Sequence, residues 1–177
     1  MKPLIFLGPV ILVLGQEKKP LASVGIARGH FWKDVYMGLG LGLLFIFEGI
    51  VTNSLKYGGL RIMPQIPISQ LALITTLIVV LATGISEEVL VRGFLYTRLK
   101  EGYGWVKAML ISTAMYFMLL VPYIFVISKL NGITLFVFVL TTVMISFVNT
   151  MIFNETKTIT VPVLVHAFWN MAVVLYL

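Results

Sequence analysis

The side chains in this sequence equipped for acid–base chemistry are few, and they fall in two short stretches. One is Glu87-Glu88-Val-Leu-Val-Arg92; the other is His166-Ala-Phe-Trp-Asn170. Glu88 and Arg92 are four apart in the acid-before-base order that favours an ion pair on one helix face. Successive helical residues point about 100° apart, so Glu87 and Glu88 are predicted to face different ways. On that reading Arg92 neutralises Glu88, and Glu87 is left to face a helix-bundle interior. His166 and Asn170 share a helix face by the same four-residue spacing. A carboxylate opposite an imidazole is a general acid/base pair. The plainer alternatives are interfacial charges that close a membrane span, and a His–Asn pair that ties helices together by hydrogen bonds. Glu48 stands apart from both stretches and is assigned no role, and His30 falls in a polar connection where water solvates it.

What must position these groups follows from composition. Of 177 residues, 59% are hydrophobic and 11% charged, against about 25% charged in soluble domains. One soluble core of this size cannot hide so much apolar surface, so lipid is the fitting solvent. The net charge is +6, but the basic residues lie between apolar runs, as topology signals and contacts to anionic membrane lipids. No basic patch with interleaved aromatics points to nucleic acid. With no cysteine, thiolate metal sites, disulfides and cysteine nucleophiles are excluded.

A spanning helix needs roughly 20 mostly apolar residues, and six segments approach that: 3–15, 36–53, 69–86, 105–128, 133–152 and 161–177. The predicted fold is an all-α, polytopic transmembrane bundle. It divides into a first span with a basic loop (1–35) and a membrane domain (36–177). Pro20, Pro64, Pro67 and Pro162 mark the connections, and Pro122 predicts a kink in the fourth span. Gly38, Gly40, Gly42 and Gly49 allow the second span close approach to a neighbour. The aromatics, Tyr116, Phe117, Trp105 and Trp169 among them, read as core or interfacial belt. The third span continues as an α-helix into SEEVLVRGFLYTRLK, carrying Val91, Phe94 and Leu95 on one stripe.

Nine basic residues fall on one side of six such spans and four on the other (Lys2, Lys56, Arg61 and Lys129). The richer side is cytoplasmic. This predicts a multi-pass plasma-membrane protein with both termini outside and Glu87 and His166 near the cytoplasmic face.

The two stretches together resemble the CPBP family, the CAAX-protease and bacteriocin-processing (Abi) membrane proteins. Glu87-Glu88-Val-Leu-Val-Arg92 matches that family's EExxxR motif. His166-Ala-Phe-Trp-Asn170, preceded by Thr160-Val-Pro162-Val-Leu, matches its closing HxxxN motif about 80 residues later. The likeness covers roughly 69–177, and Ile26 to Gly42 resembles the family's upstream helix. It implies an intramembrane endopeptidase acting on a peptide or a prenylated, CAAX-type tail. Glu87 would activate a water, and His166 and Asn170 would stabilise the oxyanion, with Glu88 and Arg92 in support. No cofactor is implied. The family's motifs also admit a metal-dependent reading, but two histidines in the chain, one in a loop, make a protein-built zinc site a poor fit.

The resemblance breaks at one place. Between these motifs the family carries FxxxH, and here the stretch is Tyr116-Phe117-Met-Leu-Leu120-Val121-Pro122. Aligned on the proline, Tyr116 takes the Phe position and Leu120 the His position. Aligned on Phe117, the His position falls on Val121. That histidine would assist the glutamate with the water, and such help is worth roughly 10²–10⁴-fold. Two functions therefore stand: a slow or specialised endopeptidase, and a non-catalytic relative that binds a peptide or partner, as in bacteriocin immunity. A small transporter has only Glu48 in its favour and lacks inverted repeats.

Overall fold

A computed structural model describes residues 2–26, 30–63, 70–122, 124–125 and 130–176. Among them the regular structure is helical, with no strand. In chain order the helices are α1 (Lys2–Glu17), α2 (Phe31–Tyr57), α3 (Gln70–Glu88), a π-helical stretch (Val89–Tyr96), α4 (Thr97–Pro122), α5 (Gly132–Thr156) and α6 (Thr160–Tyr176). A short 3₁₀ turn, Leu21–Val24, follows α1. Arg28, Pro64, Pro67, Lys129 and Leu177, which enter the expected loops, basic-residue count and last span, lie outside the described residues.

The helices are built inside out relative to a soluble protein, and α5 shows it best. Its buried positions include Thr134, Thr141, Thr142, Ser146, Asn149 and Thr150. Its exposed positions include Phe136, Leu140, Met144 and Met151. Apolar side chains outward and polar ones inward is the arrangement a helix takes in lipid, where polar groups must find partners within the bundle. Three helical segments are long and apolar enough to cross a membrane: Phe31–Tyr57, Ala72–Pro122 and Gly132–Thr156. Helix α6 is apolar but shorter. The described parts of the six predicted apolar segments each lie on a helix, and among the described residues these three segments meet a spanning length.

Helix α6 sits at the centre, packed against α2, α3 and α5. Its longest seam is with α2, and glycines make it possible. A Cβ at Gly38 would come within 2.8 Å of Leu164, at Gly42 within 2.6 Å of Phe168, and at Gly49 within 2.9 Å of Tyr176. Gly40, grouped with them in the sequence reading, meets nothing. The foot of the seam is tied by Asp34, which accepts a 2.6 Å hydrogen bond from Thr158 Oγ1.

The third expected span continues beyond residue 86 as a helix, as the sequence predicts: the path runs from Gln70 to a break at Gly104, where φ 76 and ψ 168 leave helical geometry. Glu87 therefore lies halfway along a continuous rod. The rod also widens into π geometry over Val89–Tyr96. Glycine tolerates the positive φ at the Gly104 break; helix α4 ends at Pro122, and the kink expected there borders residue 123, which lies outside the described residues.

Helix α1 does not stand a membrane's thickness away from the acidic pair. Lys2, at its start, is ion-paired with Glu87, and Glu17, at its end, with Arg98. It lies alongside the 87–98 stretch and begins at the depth of Glu87. An arrangement with the start of α1 and Glu87 on opposite membrane faces is incompatible with that pair.

Candidate active site

Three elements bring the motif residues together. Helix α3 supplies Glu87 and Glu88, the π stretch supplies Arg92, and α6 supplies His166 and Asn170. Close backbone packing sets their depth. A Cβ at Gly84 would lie 3.3 Å from the Val163 carbonyl of α6, and one at Gly93 would lie 2.4 Å from the Val24 carbonyl. Only glycine allows the rod to approach its neighbours this closely.

His166 is buried between the two carboxylates. Its Nδ1 lies 2.8 Å from Glu88 Oε1, and its Nε2 lies 3.2 Å from Glu87 Oε2. One imidazole has two opposed nitrogens, so a single ring from α6 meets both carboxylates, and their different facing on the helix does not keep them apart. Glu88 and Arg92 form the predicted pair, at 3.0 Å. Glu88 is nevertheless not spent on Arg92 alone: the same Oε1 accepts from Asn149 Nδ2 at 3.1 Å.

Arg92 is fully buried and anchors a network running to α5 and α4. Its Nη2 donates to Ser146 Oγ at 2.8 Å, and Ser146 Oγ donates to Thr113 Oγ1 at 3.0 Å. The guanidinium also lies over the Tyr116 ring, 4.8 Å from its centroid. Tyr116 Oη in turn is 3.1 Å from His166 Nε2. Trp169 packs beside the imidazole, with ring centroids 5.7 Å apart, and its Nε1 donates to Thr141 Oγ1 at 3.3 Å.

A cavity of about 200 Å³ opens beside this network, lined by Lys2, Thr83, Glu87, Leu120, Phe138 and Asn170 among others. Glu87 and Asn170 therefore share a cavity, and His166 is not among the residues that line it. The Asn170 side-chain nitrogen is buried there without a hydrogen-bond partner. His166 stands behind Glu87, with both ring nitrogens engaged. Leu120, on α4 one turn after Tyr116, contributes apolar wall. Val121, the alternative alignment position, is not among the lining residues.

The chemistry on offer is proton transfer by a buried carboxylate, with hydrogen-bond donors around it. Among the described residues no group of three or more histidines, aspartates and glutamates is arranged to hold a metal ion. Glu48 lies outside the site. It accepts from Thr52 Oγ1 at 2.9 Å, and its Oε2 is buried without a partner. His30 is exposed at the start of α2.

Four contributors were not legible beforehand. Ser146 and Asn149 carried a faint signal, as polar residues three apart in an apolar helix. Tyr116 reads as an ordinary core aromatic, and Lys2 as a flanking charge. Neither has a local sequence cue, because their partners are 50 and 85 positions away.

The family model described as Type II CAAX prenyl endopeptidase Rce1-like matches residues 69–172. No curated protein and no solved structure matches the chain.

Proposed function

This chain belongs to the Type II CAAX prenyl endopeptidase Rce1-like family, and from that premise we propose that it is an intramembrane endopeptidase. Its substrate would be a peptide or prenylated, CAAX-type tail presented at the cytoplasmic membrane face. The observation that supports the reading is the shared cavity: Glu87 and Asn170 line the same 200 Å³ space, and the Asn170 amide nitrogen is buried without a partner. A buried donor without a partner is costly, and a substrate carbonyl oxygen would satisfy it.

In this mechanism Glu87 takes a proton from a water in the cavity as the water oxygen attacks the scissile carbonyl carbon. Asn170 donates to the oxyanion that forms. His166, held at Nδ1 by Glu88, presents its Nε2 to Glu87 and lends a second donor as that carboxylate turns to the water. Glu87 then returns the proton to the leaving nitrogen as the C–N bond breaks. Arg92, Ser146 and Asn149 touch no reacting atom. They hold Glu88, and through it the imidazole, in place.

The test is cleavage of a fluorescence-quenched farnesylated CAAX peptide by the purified chain in lipid nanodiscs. Glu87→Gln should abolish turnover, and His166→Ala should lower it by roughly 10²–10³-fold. Turnover that survives Glu87→Gln at the wild-type rate would sink the mechanism.

A second reading has its own support. Leu120 lines the cavity as an apolar residue, and Lys2 already pairs with Glu87. Both fit a non-catalytic protein that binds a peptide in this space. An absence of cleavage, together with peptide binding indifferent to Glu87→Gln, would decide for it.

A further inference from the structure

The acidic pair lies deep in the bundle, yet its cations are not shared evenly. Arg92 is buried against Glu88, Ser146 and the Tyr116 ring, and it makes no ion pair with Glu87. Glu87 is 2% exposed. Among the described residues, the charged partner other than His166 that reaches it is the Lys2 ammonium, from the start of α1. His166 meets a carboxylate at each ring nitrogen, and its Nε2 is shared between Glu87 and the Tyr116 phenol. Lys2 is the ammonium that reaches Glu87 directly, and its removal leaves that enclosed carboxylate to the shared imidazole edge alone.

Three further observations point the same way. The cavity wall beside Glu87 is otherwise apolar or neutral, with Leu120, Phe138, Trp169, Thr83 and Asn170 supplying no charge. The Lys2 side chain is 44% exposed while Glu87 is enclosed, so the pair lies at the edge of the bundle. The far end of α1 is pinned by the Glu17–Arg98 pair, and Val10 and Leu14 are buried in the core that contains Tyr96 and Phe153. Helix α1 is therefore a fixed arm that delivers Lys2 rather than a loose strand that drifts across the opening.

We propose that Lys2 is a positioning residue for Glu87: its ammonium balances and orients that carboxylate within a cavity whose α4 wall, at Leu120, is apolar. The inference rests on the endopeptidase reading above. Lys2 touches no substrate atom in this scheme and acts through Glu87.

The experiment uses the full chain in lipid nanodiscs with the quenched farnesylated peptide. It compares wild type, Lys2→Met, Lys2→Arg and Lys2→Ala, with Glu87→Gln as the check on the underlying reading. Lys2→Met should lower kcat by roughly tenfold to a hundredfold with little change in KM, the loss that follows from misplacing a catalytic group. Lys2→Arg should keep most of the rate, and added ethylammonium should restore part of it to Lys2→Ala. A purely structural role for Lys2 would show neither rescue. Lys2→Met turning over at or above the wild-type rate, or a loss that neither rescue relieves, overturns the proposal while a silent Glu87→Gln leaves the endopeptidase reading standing. If the wild type cleaves nothing, that reading fails separately, and melting curves decide the link. Lys2→Met should then lower the melting temperature when Glu87 is present and not in Glu87→Gln, and equal shifts in both overturn it.

Discussion

Tyr116 Oη lies 3.1 Å from His166 Nε2, on the same ring nitrogen that meets Glu87. The phenol and the carboxylate compete for one edge of the imidazole while Glu88 holds the other. The ring is thus fixed from α4 as well as from α3, and the residue that does so stands one helical turn before Leu120. A phenylalanine at this place would pack equally well and leave the imidazole edge to Glu87 alone.

Tyr116→Phe should accordingly keep the fold. The lost hydrogen bond should cost about 1 kcal/mol of stability, read as a lower melting temperature in nanodiscs. Turnover should fall by up to about tenfold, because the imidazole is oriented less strictly. An unchanged rate would show that Glu88 orients the ring unaided.

Arg92→Met tests the buried ion pair. Removing one partner strands Glu88 beside His166 and should cost about 3–5 kcal/mol, which shows as poor yield or early melting. Adding Glu88→Gln to Arg92→Met should recover part of that loss, since no uncompensated charge then remains. Equal stability of Arg92→Met and wild type would contradict the electrostatic account of the core.

Leu120→His restores the family's residue in the cavity that holds Glu87. It should raise turnover, as a second proton handler gains access to the water, and lower stability, because a polar ring replaces a packed leucine. Combined with Lys2→Met it should recover more rate than it adds to the wild type. A Leu120→His protein slower than wild type would show that the imidazole does not reach the water.

Topology is open to direct test. The basic-residue asymmetry predicts both termini outside the cytoplasm and the site near its cytoplasmic face, and the ion pair of Lys2 with Glu87 means that the start of α1 and the site cannot be parted in this way, which leaves the alternation of α2 and α5 to be tested. Cysteines introduced at Lys56 and Lys157, positions at the ends of α2 and α5, should label from opposite sides of sealed vesicles. Labelling of both from one side would remove the alternation on which the cytoplasmic orientation of the site depends.

Composition and periodicity alone determined that this chain is a bundle of apolar helices with a polar interior. That outcome needs no tertiary information: in lipid the backbone must satisfy itself locally, and Thr141, Ser146 and Asn149 can find partners only inward. The spacing of Glu87, Glu88 and Arg92, and of His166 and Asn170, was likewise enough to name the motif residues and to pair Glu88 with Arg92, because residues four apart on one helix meet by local geometry. What only the tertiary structure decided is what meets across helices. The π stretch at Val89–Tyr96 departs from the 3.6-residue period on which the stripe of Val91, Phe94 and Leu95 was judged. Gly93 brings the rod against the Val24 carbonyl, an approach that no one-dimensional pattern displays. His166 joins both carboxylates, Tyr116 joins His166, and Lys2 reaches Glu87 over separations of 50 to 85 residues. Side-chain chemistry permits each of those contacts with many partners. The packing of α3 against α6, and of α1 and α4 against the rod, selects the ones that form.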